Sequence, residues 1–142
     1  MSNGIKVKKR DGRIESLDLD KMHLMVDEAC QGLAGVSASQ VEMKSGIQFY
    51  DGITTEEIQE ILIKAASDLI DLDHPNYQFV AARLLLFALR KQLYGKMREL
   101  PHLEPHIMNC TNIDVYDKEI FAKYSKEEID KANSFIDHDR DF

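Results

Sequence analysis

"DGITTEEIQEILIKAASDLI" (residues 51–70) decides the fold class of this chain. Ile58, Ile61, Leu62, Ala65, Ala66, Leu69 and Ile70 recur at helical spacing and make one continuous apolar stripe. Thr54 and Glu57 have the spacing of a capping box, in which hydroxyl and carboxylate each satisfy the other residue's backbone N–H. A helix with one apolar face needs neighbours to bury it.

The next neighbour is "HPNYQFVAARLLLFALRKQLYG" (74–95), with Pro75 near its first turn and Gly95 at its close. Residues 79–89 are apolar on almost every side apart from Arg83, which predicts a central buried helix. Upstream, Met22, Met25, Val26, Ala29, Cys30 and Leu33 follow helical spacing. Asp18 or Asp20 can cap the start, and Gly32 and Gly35 mark the end. "SASQVEMKSGIQFY" (37–50) is a weaker helix with Ser37 as its cap, and Gly46 argues against its second half. Cys30, on its helix's apolar stripe, reads as a buried structural thiol.

Residues 4–17 differ in period. "IKVKK" and "RIESL" alternate apolar and polar residues, and Gly12 between them can take positive φ, so a short hairpin is predicted. Lys6 and Lys8 should share one face, with Ile5 and Val7 on the other.

After Gly95 the character changes. "ELPHLEPH" reads as a connection. Short helices are predicted at 103–112 and 117–124, and a third from Ser125, capped by Ser125 with Glu128. So short a segment buries little surface alone and should pack on the first part or on a partner. "DHDRD" reads as a solvated, charged terminus. The reading is thus mainly α with a small N-terminal β-hairpin. Residues 1–95 form a four-helix domain, and 96–142 a linker with short helices.

Charge narrows the function. The chain carries −7 overall, yet residues 1–24 hold six Lys/Arg against four Asp/Glu, a local +2. The other 118 residues, with twelve against twenty-one, carry −9. Duplex binding rests on neutralising many phosphates, so this balance argues against nucleic acid and for a small anionic ligand. Two widely separated cysteines, no apolar signal core and no run of about 18 apolar residues predict a cytoplasmic protein without a membrane segment. Glycine patterns such as G-x-G-x-x-G are missing, and no catalytic set is visible. His102 and His106 have the spacing of metal ligands on a helix, but Pro105 lies between them and no third ligand is evident, so they read as surface histidines.

A basic hairpin followed by helices can hold a triphosphate while the helices enclose the base. "VKKRDGRIESLDLDKMH", "IQFYDGITTEEIQEILIKAASDLI" and "PNYQFVAARLLLFALRKQLYG" closely resemble the ATP-cone domain at the amino end of class I ribonucleotide reductase large subunits. "YSKEEID" and "FIDHDRDF" resemble the start of the helical region after the cone, so the likeness covers nearly the whole chain.

The resemblance implies an allosteric switch in deoxyribonucleotide synthesis. ATP, bound with Mg²⁺, keeps the enzyme active, and dATP inhibits it by changing the assembly of large (α) and small, radical-generating (β) subunits, with cone–cone association as a further possibility. It places Lys9, Arg10 and Lys91 at the triphosphate. Val7, Glu15, Asp18, Lys21 and Met22 would line the base and sugar, and Phe49, Thr55, Ile58 and Gln59 would close the pocket. Gln59 stands where many relatives have His, and Asp18 where many have Asn. Gln cannot carry charge, and Asp can accept from an adenine amino group but donates nothing to a ring nitrogen. The family's catalytic barrel, with its radical cysteine and redox cysteine pair, is not in this chain, so no reduction is expected from the chain alone. A cone-containing transcriptional repressor is the alternative; that class carries a four-cysteine zinc ribbon before its cone, and this chain has two cysteines in all.

Overall fold

A computed structural model describes residues 4–142. The chain divides into two compact units, Met1–Gln92 and Leu93–Phe142. Both are mainly helical, and the small sheet lies in the first.

The hairpin forms as its alternation predicts. β1 (Lys6–Lys8) pairs antiparallel with β2 (Ile14–Ser16), setting Val7 opposite Glu15. Lys9 N–H donates to Arg13 O at 2.8 Å, and Gly12 takes φ 87°, a conformation open to glycine but strained for most residues. Val7 is buried, while Lys6 and Lys8 point outward. A two-residue third strand, β3 (Ile53–Thr54), runs parallel to β1, so the order is β2-β1-β3. Ile53 is fully buried beside Val7.

Four helices follow the same strand–helix logic. α1 (Leu19–Cys30) starts at Asp18, whose Oδ1 accepts from Lys21 N–H at 3.0 Å. α2 (Ala38–Gly46) stops at Gly46, where the sequence weakens. Ser37 occupies its cap position without a side-chain bond; instead its N–H donates to Tyr77 Oη at 3.0 Å. α3 (Thr55–Asp68) carries the complete Thr54/Glu57 capping box. Its stripe buries Ile58, Leu62, Ala65 and Ala66, and Ile70, past the helix end, is exposed. α1 packs on α2, and α2 on α3.

α4 (Tyr77–Tyr94) departs from the expectation of all-round burial. It buries Tyr77, Val80, Leu84, Phe87 and Arg90 along one face. Phe79, Leu85 and Leu89 are exposed by 49%, 57% and 46%. An apolar composition without a moment tells that a helix has two apolar sides, not that both are covered. Arg83, the exception in the apolar run, donates from Nη1 to Ala29 O (3.2 Å) and Gln31 O (2.7 Å), closing the carbonyl end of α1. Cys30 beside it is half-buried rather than buried; desolvation first, then Asp27, holds its thiol above the usual value.

In the second unit, α5 (Leu103–Asn112) packs on α7 (Lys126–Asn133), which has the Ser125/Glu128 box. Leu103 N–H donates to Asn133 Oδ1 at 2.9 Å, and Ile107, Cys110 and Ile129 are buried. α6 (Glu119–Lys123) and a 3-10 turn (His138–Asp141) complete it. His106 is more enclosed than a surface histidine. Tyr94 and Tyr116 meet it edge-on, with centroids at 5.7 and 6.1 Å, and its Nε2 is 3.6 Å from Cys110 Sγ. No cluster of three or more metal-ligating side chains occurs among the described residues, and no helix among them is long and apolar enough to cross a membrane.

Candidate anion-binding site

The turn between β1 and β2 projects Lys9 and Arg10 toward the end of α4. Arg10 Nη1 donates to Lys91 O at 3.2 Å. Lys91 is partly buried, and its ammonium is held below its usual range. Burial is the chief cause, followed by the charges of Lys9 and Arg10; Lys21 adds to them and Glu56 opposes them. Four cations from the hairpin, α1 and α4 therefore lie within mutual electrostatic reach. Such a gathering is unfavourable while empty and favours an anion.

Three of the four have carboxylate partners. Lys9 Nζ is 3.5 Å from Glu15 Oε2, Lys21 Nζ is 3.6 Å from Asp18 Oδ2, and Arg10 Nε is 2.5 Å from Glu56 Oε1. Lys91 has no such partner among the described residues. The backbone N–H of Lys21, foremost, holds the Asp18 carboxyl below its usual range. Its Oδ1 is engaged in the helix cap, so Oδ2 is the freer acceptor.

The structure brings Lys9, Arg10, Glu15, Asp18, Lys21 and Lys91 into one charged neighbourhood. Val7 lies opposite Glu15 with its side chain buried, and Met22 is half-buried in the first turn of α1. Thr55 opens α3 and its Oγ1 donates to Glu56 Oε2 at 3.1 Å, which joins it to the cluster. Phe49 is half-buried beyond α2, and Ile58 is buried on α3; neither makes a polar contact with the cations. Gln59 is 8% exposed, and no protein group hydrogen-bonds its amide among the described residues. No side-chain polar atom among the described residues is both buried and unsatisfied, so the Gln59 amide keeps a solvent-facing atom that a ligand could reach.

A cavity of about 660 Å³ opens beside the cluster, lined by Lys8, Lys9, Arg10, Thr54, Glu56, Glu60 and Gln92. Of the ligand contacts expected from sequence, Lys9 and Arg10 line it. Glu56, Glu60 and Gln92 were not foreseen. Glu56 reads in sequence as an acid in a helix's first turn, where the dipole alone explains it. Only the spatial return of the hairpin onto α3 reveals its second partner.

Comparison with known proteins shows the family. Residues 5–92 match the ATP cone domain. The chain is 49% identical over 141 residues to the ribonucleoside-diphosphate reductase 1 subunit alpha of Escherichia coli, covering 99% of this chain and 18% of that protein. It is 47% identical over 141 residues to the alpha subunit of Haemophilus influenzae, with the same coverage. It is 42% identical over 139 residues to that of Enterobacteria phage T4, covering 96% of this chain and 18% of the relative. The chain thus spans less than a fifth of the length of these relatives, in their N-terminal regions. With the match running from the hairpin to the end of the cation cluster on α4, the chain belongs to the ATP-cone domain family.

Proposed function

We propose that this chain is the nucleotide-sensing regulatory portion of a ribonucleotide reductase large subunit, binding ATP as activator or dATP as inhibitor, each with Mg²⁺. The observation that carries the reading is the basic cluster at the end of α4, where Arg10 Nη1 donates to Lys91 O at 3.2 Å and the charges of Lys9, Arg10 and Lys21 bear on the partly buried Lys91 ammonium. A triphosphate relieves that repulsion, and Lys and Arg supply a point charge and a forked donor set for its oxygens.

In this reading Lys9, Arg10 and Lys91 hold the triphosphate. Val7, Glu15, Asp18, Lys21 and Met22 line the base and sugar. Phe49, Thr55, Ile58 and Gln59 close the pocket, and the unpartnered Gln59 amide supports its share of that role. Residues 1–95 are the cone, and 96–142 lead into the reductase body. ATP and dATP differ by one 2′-hydroxyl, so Lys21 and Gln59, assigned near the sugar, carry the discrimination. Regulation follows only if the two nucleotides stabilise different assemblies of α and β subunits, because a ligand of equal affinity for two states shifts neither.

Calorimetry with ATP and dATP in Mg²⁺ tests the binding. Lys9→Ala should lose about 1.5–3 kcal/mol, as for a hydrogen bond to a charged group. Equal affinity in wild type and variant would remove Lys9 from the site, and no binding in wild type would defeat the reading.

A further inference from the structure

The carboxylates that face the cluster are not equivalent. Glu15 and Asp18 belong to the same hairpin–helix stretch as the lysines they face. Glu56 comes from the first turn of α3 and crosses to Arg10 from a separate element, at 2.5 Å. Its other oxygen accepts from Thr55 Oγ1 at 3.1 Å, and its charge also acts on Lys91. It stands on the wall of the cavity that Lys9 and Arg10 share. A first-turn acid needs no such partner, since the helix dipole favours it in any direction.

We propose that Glu56 is the resident counter-ion of the phosphate site, its carboxylate occupying Arg10 in the empty protein until a polyphosphate displaces it. This deepens the nucleotide-binding reading and rests on it. Arg10 is anchored on both sides, by Glu56 through Nε and by Lys91 O through Nη1. The guanidinium is therefore positioned before a ligand arrives. The same carboxylate opposes the ligand, because an incoming phosphate oxygen must share Arg10 with it or replace it. Glu56 thus sets the affinity below what the four cations would give alone. Its opposition grows with ligand charge and vanishes for an uncharged nucleoside. It is a positioning residue that acts through Arg10.

The test measures tripolyphosphate, ATP and adenosine binding to the full chain by calorimetry at low salt. E56Q should bind tripolyphosphate and ATP roughly two- to fivefold more tightly, the scale of a partly exposed ion pair, with adenosine unchanged. The gain should shrink in an Arg10→Ala background and as salt screens the charges. A damaged fold would weaken binding, so tightening with an unchanged or lower Tm is a signature that a merely structural role does not give. Glu60→Gln removes a charge from the same cavity wall without touching Arg10, and Glu56→Asp keeps the charge should E56Q fold poorly. A smaller gain than in E56Q is expected for Glu60→Gln, and affinity near wild type for Glu56→Asp. Unchanged or weaker tripolyphosphate binding in E56Q, an equal gain in Glu60→Gln, or a gain in Glu56→Asp as large as that expected of E56Q would overturn the proposal. If wild type binds tripolyphosphate and ATP but E56Q gains nothing, only the counter-ion role falls. If neither wild type nor E56Q binds them, the nucleotide reading falls with it.

Discussion

Replacing Lys91 with Met separates what the empty site costs from what it gives a ligand. Lys91 is held below its usual range by burial first and by Lys9 and Arg10 next. Met keeps an unbranched stem and removes the charge. The empty variant should therefore be more stable than wild type. With a triphosphate present the order reverses, because one charge-assisted contact of about 1.5–3 kcal/mol is gone. That corresponds to roughly 10- to 150-fold in affinity. The partial burial of Lys91 places the loss toward the upper part of that range, since water competes less for the ammonium. The pH dependence has a definite sign. A lysine whose folded value lies below 10.5 leaves the folded protein with fewer bound protons than the unfolded chain in the window just below 10.5. The destabilisation is complete at lower pH and is relieved as pH rises through the folded value. A bound polyanion draws the proton back, so wild-type affinity falls as pH climbs toward 10.5, and K91M lacks that component. Thermal scans of the empty protein, paired with ATP titrations across pH, measure both halves. A K91M protein that is less stable when empty, or that binds ATP as tightly as wild type, would refute the argument.

Two further outcomes test the scaffold. Tyr77 is buried, and its hydroxyl accepts from Ser37 N–H at 3.0 Å and donates to Gln40 Oε1 at 3.1 Å; Tyr77→Phe should cost about 1–3 kcal/mol in urea unfolding, and an unchanged midpoint would show that water replaces those bonds. His23 Nδ1 lies 2.8 Å from Glu42 Oε1, and that hydrogen bond, with Glu42's charge and smaller contributions from Asp27 and Asp20, raises the imidazole above 6.5. Its stabilisation is complete below 6.5 and disappears as pH rises through the raised value, so His23→Gln should flatten the dependence of Tm on pH in that window. Parallel Tm–pH curves for the two proteins would exclude the pair as a contributor.

What the sequence discloses is what local chemistry controls. The Thr54/Glu57 and Ser125/Glu128 boxes, the cap at Asp18 and the end of α2 at Gly46 all follow from residues within one turn of each other. The hairpin follows from alternation around Gly12. β3 was not legible, because two residues have no period, and only its distant partner β1 makes Ile53–Thr54 a strand. The exposed side of α4 was not legible either, since Phe79, Leu85 and Leu89 carry no mark of which apolar face is covered. At the site, the basic turn stood out against an acidic chain. The Arg10–Glu56 pair did not, because it joins residues remote in sequence whose local roles are already satisfied.

The small sheet has a consequence for folding kinetics. β1 is shared between a partner that follows it after one turn and a partner that lies beyond α1 and α2. The hairpin can close early, whereas β3 adds only after the intervening helices fold back, since loop entropy is lost before the distant contact rewards it. Arg10 and Lys91, 81 positions apart, meet over a longer range still. Contacts of such long range are expected to complete the cation cluster late, on the native side of the barrier. An anion that recognises only the completed cluster slows unfolding and leaves the folding rate nearly unchanged. Occupancy then lengthens the lifetime of the folded domain as well as deepening its stability, and proteases that cleave only opened chains would cut the liganded protein more slowly.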